Sequence, residues 1–197
     1  MRPSWTRGVA RRRVAALARS RAGMARPAEY ESSRSPGAAT VSEVTRVTPP
    51  GPDVAVRRAG KDDQDALLHL IGDFNREDDH DHDDDRVRRA LGPLLDDDQR
   101  GQVWIVDVAG RPQGYCVLAW GYSLESGGRE CVVDEIFVSP SSRGVGGLLL
   151  DAALAGAREA GVLVVFLETE VRNARARAFY RRHGFVLEDS IWMRRVL

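Results

Sequence analysis

The segment that constrains this chain most runs from Ile136-Phe137-Val138 through Arg143-Gly144-Val145-Gly146-Gly147 into a stripe of Leu150, Leu154 and Ala157. A strand that passes through glycines into a helix leaves several backbone amides without intrahelical partners and sets the positive end of the helix dipole beside them. Phosphate is the natural guest of such a turn. Bare backbone at Gly144, Gly146 and Gly147 can approach phosphate oxygens, and Arg143 adds a full charge. No Gly-Lys-Ser/Thr follows, and the glycines do not fall at Gly-x-Gly-x-x-Gly spacing, so the triphosphate loop and the dinucleotide fingerprint are both absent. On these residues alone, a plain flexible turn stands as the alternative.

The flanking pattern places this turn late in a single domain. Val54, Val56 and Arg58 predict a short first strand. Asp62 or Asp63 then caps a helix with Ala66, Leu67, Leu70, Ile71 and Phe74 at helical spacing. A second helix carries Val87, Leu91, Leu94 and Leu95 on one face, weakened in its middle by Gly92 and Pro93. Strands are predicted at 103–108, 113–121 and 130–138, and the Gly-containing links between them favour antiparallel hairpins. After the turn and its helix, the apolar run at 163–167 reads as a strand buried on both faces. A last helix spans 173–182, stops at Gly184, and leads to strand-like stretches at 185–187 and 191–196. The fold class is α+β: a mixed, mostly antiparallel central sheet flanked by helices.

Charge separates this domain, 53–197, from what precedes it. Ten Arg stand against three Glu in the first fifty residues, leaving nineteen basic against twenty-six acidic residues beyond. Residues 1–52, rich in Arg, Ala, Ser and Pro, are predicted to be a disordered basic tail. Without aromatics interleaved among the arginines beyond Trp5, that charge does not make nucleic acid a partner. No apolar run reaches the roughly 18–20 residues of a membrane span. Cys116 and Cys131 alone provide neither a disulfide framework nor a zinc site, which fits a reducing cytoplasm.

A second constellation follows the turn: Leu167-Glu168-Thr169, then Asn173, Ala174, Ala178, Phe179, Tyr180, Gly184 and Phe185. Together the two segments resemble the GNAT superfamily of N-acetyltransferases, over roughly residues 53–197. The resemblance implies a GNAT-like fold and acetyl-CoA as co-substrate. It implies that the strand Ile136, Phe137, Val138 and the turn Arg143, Gly144, Val145, Gly146, Gly147 bind the coenzyme, with the pyrophosphate on the glycine amides. Asn173 would bond the pantetheine arm. Tyr180 would protonate the leaving thiolate, its alternative being a packed helix aromatic. Aligned on Arg143, the turn has Leu148 where the family's loop ends on a small residue; aligned on Gly144-Val145-Gly146, the loop after Pro140 is two residues shorter than the family's, and either departure bears on coenzyme affinity. The acceptor would be a small-molecule amine or, alternatively, a protein N-terminus or lysine; a non-catalytic acyl-CoA-binding module is a third reading, and a homodimer is compatible with the family.

Attack on a thioester needs a neutral amine and therefore a proton acceptor. Asp134 and Glu135 precede the turn, and strand alternation lets only one of them face the reaction centre. The stretch Asp134-Glu135-Ile136-Phe137-Val138 resembles polyamine-type members of the family, which favours Asp134 with Glu135 as rival. The acidic run 78–85 reads as a solvated loop, a rim that attracts cationic amines, or, least well, a metal site. Trp120 and Tyr122 are candidates for aromatic walls of the acceptor site or for core packing.

Overall fold

The computed structural model describes residues 45–46, 53–77, 81–142, 144–191 and 193–196. Its elements are β1 (Thr45–Arg46), β2 (Val54–Arg58), α1 (Gln64–Glu77), α2 (Asp84–Asp96), β3 (Gly101–Val108), β4 (Arg111–Ser123), β5 (Gly128–Val138), α3 (Gly146–Glu159), β6 (Val164–Leu167) and α4 (Ala174–Arg182). The six strands form one sheet in the order β1-β2-β3-β4-β5-β6. All neighbours are antiparallel except β5 and β6. The mixed sheet expected from the sequence is therefore present. It begins at Thr45, inside the stretch read as tail; the rest of 1–52 lies outside the described residues.

Alternation along the strands divides the core in two. Val103, Ile105, Tyr115, Val117 and Phe137 point to the face covered by α1 and α2, where Leu67, Leu70, Ile71, Leu91 and Leu95 meet them. Val106, Cys116, Leu118, Cys131 and Val133 point to the opposite face and pack on Leu149, Leu150, Ala153 and Ala157 of α3. Phe179, Tyr180 and Phe185 join that second core, which puts α4 on the same side as α3. The β3–β4 link turns at Ala109 (φ 51°) and Gly110 (φ 72°), the left-handed pair that matches hairpin twist.

Local chemistry explains the helix starts. Residues Lys61–Asp63 form a single 3₁₀ turn before α1, and Asp63 accepts the Gly60 amide at 2.8 Å while Arg57 clamps its carboxylate with two bonds of 2.8 Å. The Arg57 Nε also donates to Asp107 at 2.7 Å, tying the entrance of α1 to β2 and β3. This guanidinium holds the Asp63 carboxyl below its ordinary range. Pro93 sits inside α2 without ending it.

Two expectations fail at the far edge of the sheet. The strand at 163–167 is not buried on both faces: Leu163 is 62% exposed and Val164 to Leu167 are half-buried, because β6 is the last strand. Among the described residues, 185–187 and 191–196 form no strand, and Val186, Leu187, Ile191, Met193 and Val196 are exposed. Their alternation predicts a strand, but a strand also needs a paired neighbour to satisfy its backbone, and none is supplied here.

Helix α3 approaches β3 closely at one point. A Cβ at Gly156 would lie 2.3 Å from Cζ2 of Trp104 and 2.7 Å from the Gln102 side chain. Gly156→Ala should therefore cost about 1–2 kcal/mol net, because crowding in a filled core exceeds the ~1 kcal/mol that Ala gains in a helix interior. Thermal unfolding should show a Tm lowered by several degrees.

Candidate functional site

Pairing between β5 and β6 ends at Val133↔Leu167. Beyond that pair β5 continues to Val138 along β4, while the chain after Leu167 departs toward α4. The two strands thus part, and α3 and α4 flank the opening. A cleft of about 570 Å³ is lined by Ile136, Val138, Gly144, Gly146, Gly147, Asn173, Arg175, Phe179, Tyr180, Arg182 and His183, among others. Its wall is apolar along Ile136, Val138 and Phe179, and cationic where Arg175 and Arg182 stand.

The Gly-rich turn occupies one end of this cleft. Gly144 adopts φ +101°, a conformation closed to most side chains, and Val145 caps α3, its carbonyl accepting the Leu149 amide at 3.1 Å. The amides of Gly146, Gly147 and Leu148 precede the first intrahelical bond and so have no helical acceptor. At Gly146 a Cβ would meet only ordinary contacts with Val138 and Phe179, at 3.7 and 3.9 Å, so glycine there keeps the cleft floor open rather than relieving a clash. Arg143 lies outside the described residues. Val145 packs against the α3-side core and does not line the cleft.

Tyr180 reaches the cleft from α4, its ring edge-on to Phe179 at 5.2 Å and to Phe185 at 5.7 Å. Burial, followed by the nearby Cys116, pushes its phenol up to about 12, so it keeps its proton throughout the neutral range. Asn173 also lines the cleft, but its Oδ1 accepts the Ala176 amide at 2.9 Å, making it the N-cap of α4. Its side-chain amide Nδ2 is the group left to meet a ligand.

The carboxylate pair does not obey simple alternation. A register shift at Val117/Leu118 pairs Val117 with Glu135 and Leu118 with Val133, so Asp134 is skipped as the extra residue of a bulge. The expectation that the two must face opposite sides is corrected by this bulge. Glu135 accepts a 2.8 Å bond from the Tyr115 hydroxyl, on the face toward α1 and α2. Burial, followed by that carboxylate, holds the Tyr115 proton firmly in place. Asp134 is exposed and stands immediately past the last β5–β6 pair. Phe137, one residue out of phase with Ile136 and Val138, turns away from the cleft and packs against Phe74 at 5.8 Å and Tyr115 at 6.2 Å.

The acidic run is partly described. Asp83 caps α2 by accepting the Arg86 amide at 3.0 Å, and His82 is held between the Asn75 amide at 2.8 Å and Asp84 at 2.5 Å. Residues 78–80 lie outside the described residues, and among those described no group of three His, Cys, Asp or Glu could hold a metal. Trp120 packs against the α3-side core and donates its indole N–H to the Asp98 carbonyl at 2.8 Å, while Tyr122 is 79% exposed. Neither lines the cleft. Sequence reasoning missed Arg175, Arg182 and His183, although His183 lies one helical turn past Phe179 and Tyr180 and so shares their face.

This architecture has relatives. The acetyltransferase (GNAT) family matches residues 65–185, and the chain belongs to that family. An uncharacterized N-acetyltransferase of Methanocaldococcus jannaschii is 34% identical over 110 residues, 52% of this chain and 47% of that protein. The chain thus spans about half the length of that curated relative. An integron cassette protein from the mobile metagenome of Cole Harbour Salt Marsh has TM-score 0.66 at 30% identity, over 72% of this chain and 90% of its own. An aminoglycoside N-acetyltransferase in complex with CoA shares the fold, with TM-score 0.65 at 19% identity over 76% of this chain and 99% of its own.

The capping role of Asn173 can be measured. Asn173→Ala should lose about 1 kcal/mol of stability, the usual worth of an N-cap, and Asn173→Ser should recover most of it. Urea unfolding of the three proteins checks this.

Proposed function

We propose that this protein transfers an acetyl group from acetyl-CoA to the primary amine of a small cationic molecule. The observation that carries the reading is the cleft where β5 and β6 part: an apolar wall along Ile136, Val138 and Phe179, the free amides that open α3, Arg175 and Arg182 from the two ends of α4, and a protonated phenol within it. An elongated ligand with a neutral arm and a polyanionic head fits that distribution. Gly144 and Gly146 leave the cradle clear, and the donor set of amides and guanidinium groups suits phosphate oxygens. A protein of the same fold holds CoA.

When bound, acetyl-CoA supplies an activated acyl carbon and a thiolate leaving group. Gly144, Gly146, Gly147 and Arg143 would hold the pyrophosphate, and the Asn173 amide the pantetheine arm. Tyr180 would donate its proton to the departing sulfur, a role open to it because a phenol raised to about 12 stays protonated while the reaction runs. Asp134 is the proton acceptor for the amine. Glu135, whose carboxylate accepts from the Tyr115 hydroxyl on the face toward α1 and α2, is its rival.

The acceptor class rests on charge. Asp81, Asp83, Asp84 and Asp85 are exposed at the link into α2, and clustered carboxylates raise the local concentration of a cationic amine by steering. A neighbour of the same fold is an aminoglycoside N-acetyltransferase, one such amine class. Cys116 and Cys131 are buried and in no disulfide, which supports a reducing, cytoplasmic setting. Among the described residues no helix is long and apolar enough to cross a membrane.

Acetyl-CoA at a hundredfold excess over its Kd should add about 2.7 kcal/mol to the folded state and raise Tm; an unmoved Tm at millimolar coenzyme would overturn the reading. A panel of amines, scored by thiol release, should show turnover with small cationic amines and not with peptides.

Tyr180→Phe should bind acetyl-CoA normally yet turn over about 10²–10⁴-fold more slowly, because it loses the proton and keeps the ring. Asp134→Asn should abolish the acid limb of the pH–rate profile, and Glu135→Gln should leave it. The opposite pattern would exchange their roles.

A further inference from the structure

His183 lines the cleft at the junction of three contacts. Its Nδ1 lies 2.9 Å from Oδ1 of Asp151 on α3. Its ring packs on Phe179, with centroids 4.7 Å apart. A Cβ at Gly147 would fall 3.2 Å from Cε1 and 3.3 Å from Nε2 of the same ring. The side chain is only 18% exposed. Gly147 is thus glycine in part to make room for an imidazole, and that imidazole lies against the free-amide end of α3.

The direction of the ring follows from its partners. A carboxylate can only accept, so Nδ1 carries a hydrogen toward Asp151 and the remaining nitrogen, Nε2, is the one beside Gly147. No hydrogen bond to Nε2 occurs among the described residues. In the imidazolium form Nε2 also carries a hydrogen, and an anionic oxygen is its strongest acceptor. Among the described residues, the other charged groups lining this cleft are Arg175 and Arg182 of α4, and β5 contributes Ile136 and Val138. Among the described residues, the anion in contact with the ring is Asp151, and it is engaged at Nδ1.

We propose that His183, aimed by Asp151 and seated in the space left by Gly147, donates from Nε2 to the pyrophosphate of the coenzyme beside the α3 amides. The proposal rests on the acyl-transfer reading above and adds to it a ligand for the coenzyme's head. His183 touches the coenzyme; Asp151 is a positioning residue that acts through the ring. A charge-assisted bond of this kind corresponds to about ten- to hundredfold in affinity.

The test is calorimetric titration of the full chain with CoA and dephospho-CoA, with pantetheine affinity followed by ligand-detected NMR. His183→Ala should weaken CoA and dephospho-CoA alike by about ten- to hundredfold and leave pantetheine unchanged. His183→Gln, which retains a donor, should recover most of that loss. Asp151→Ala and Gly147→Ala, which respectively untie and displace the ring, should show the same selective loss on a smaller scale. Equal CoA affinity in wild type and His183→Ala would overturn the proposal. So would a loss extending to pantetheine, which marks general damage to the cleft, or one confined to CoA, which marks its 3′-phosphate. Wild-type protein that binds neither CoA nor dephospho-CoA would instead defeat the acyl-transfer reading itself.

Discussion

The parting of β5 from β6 after Val133 and Leu167 is the constraint on which the site depends. A sheet stays closed while each strand supplies partners for the next, and here β4 continues to supply them to β5 on one side while β6 has stopped on the other. The outward backbone of β5 near Ile136 and Val138 is thereby turned toward a cleft instead of a strand. Because buried backbone groups demand partners, such an opening persists where something lines it or enters it. Helices α3 and α4 line it, α3 with its N-terminal glycines and α4 along its length, and an extended amide-bearing ligand would complete it.

The bulge at Asp134 acts on the same stretch. By inserting one residue opposite the Val117/Leu118 junction, it keeps Cys131 and Val133 on the α3 face and also returns Ile136 and Val138 to that face. Without it the strand would present Phe137 to the cleft and Ile136 to the α1 side. The bulge therefore sets both the apolar wall of the cleft and the exposed position of Asp134, so that the proposed coenzyme binding and the proposed proton removal would share one backbone irregularity.

Charge is distributed against the trend of the domain. Beyond residue 50 acidic residues outnumber basic ones, yet Arg175, Arg182 and His183 gather on the cleft beside α3, and the exposed aspartates collect at the entrance of α2. An anionic head and a cationic acceptor would thus meet different parts of the surface. The separation follows from α4, which carries arginines at both ends of a nine-residue helix.

The order of elements, the two hairpins, the Gly-rich turn and the helix that ends at Gly184 were legible in the sequence because each rests on local chemistry: alternation, turn residues, caps and glycine's access to positive φ. The face on which Asp134 and Glu135 stand was not, since a bulge depends on the register with the next strand. Nor was the exposure of 163–167 and 185–196, because an apolar alternating stretch becomes a buried strand only when a neighbour pairs with it. Asn173 as a helix cap was open to sequence reasoning from its place before an Ala-rich turn, while the packing of His183 against Gly147 joins residues 36 positions apart. The sequence by itself determined which segments could be strands, turns and helices and where an anion could be held; tertiary structure alone decided which strand edge stays open and which side chains share the cleft, because those depend on pairing between segments that local preferences do not specify.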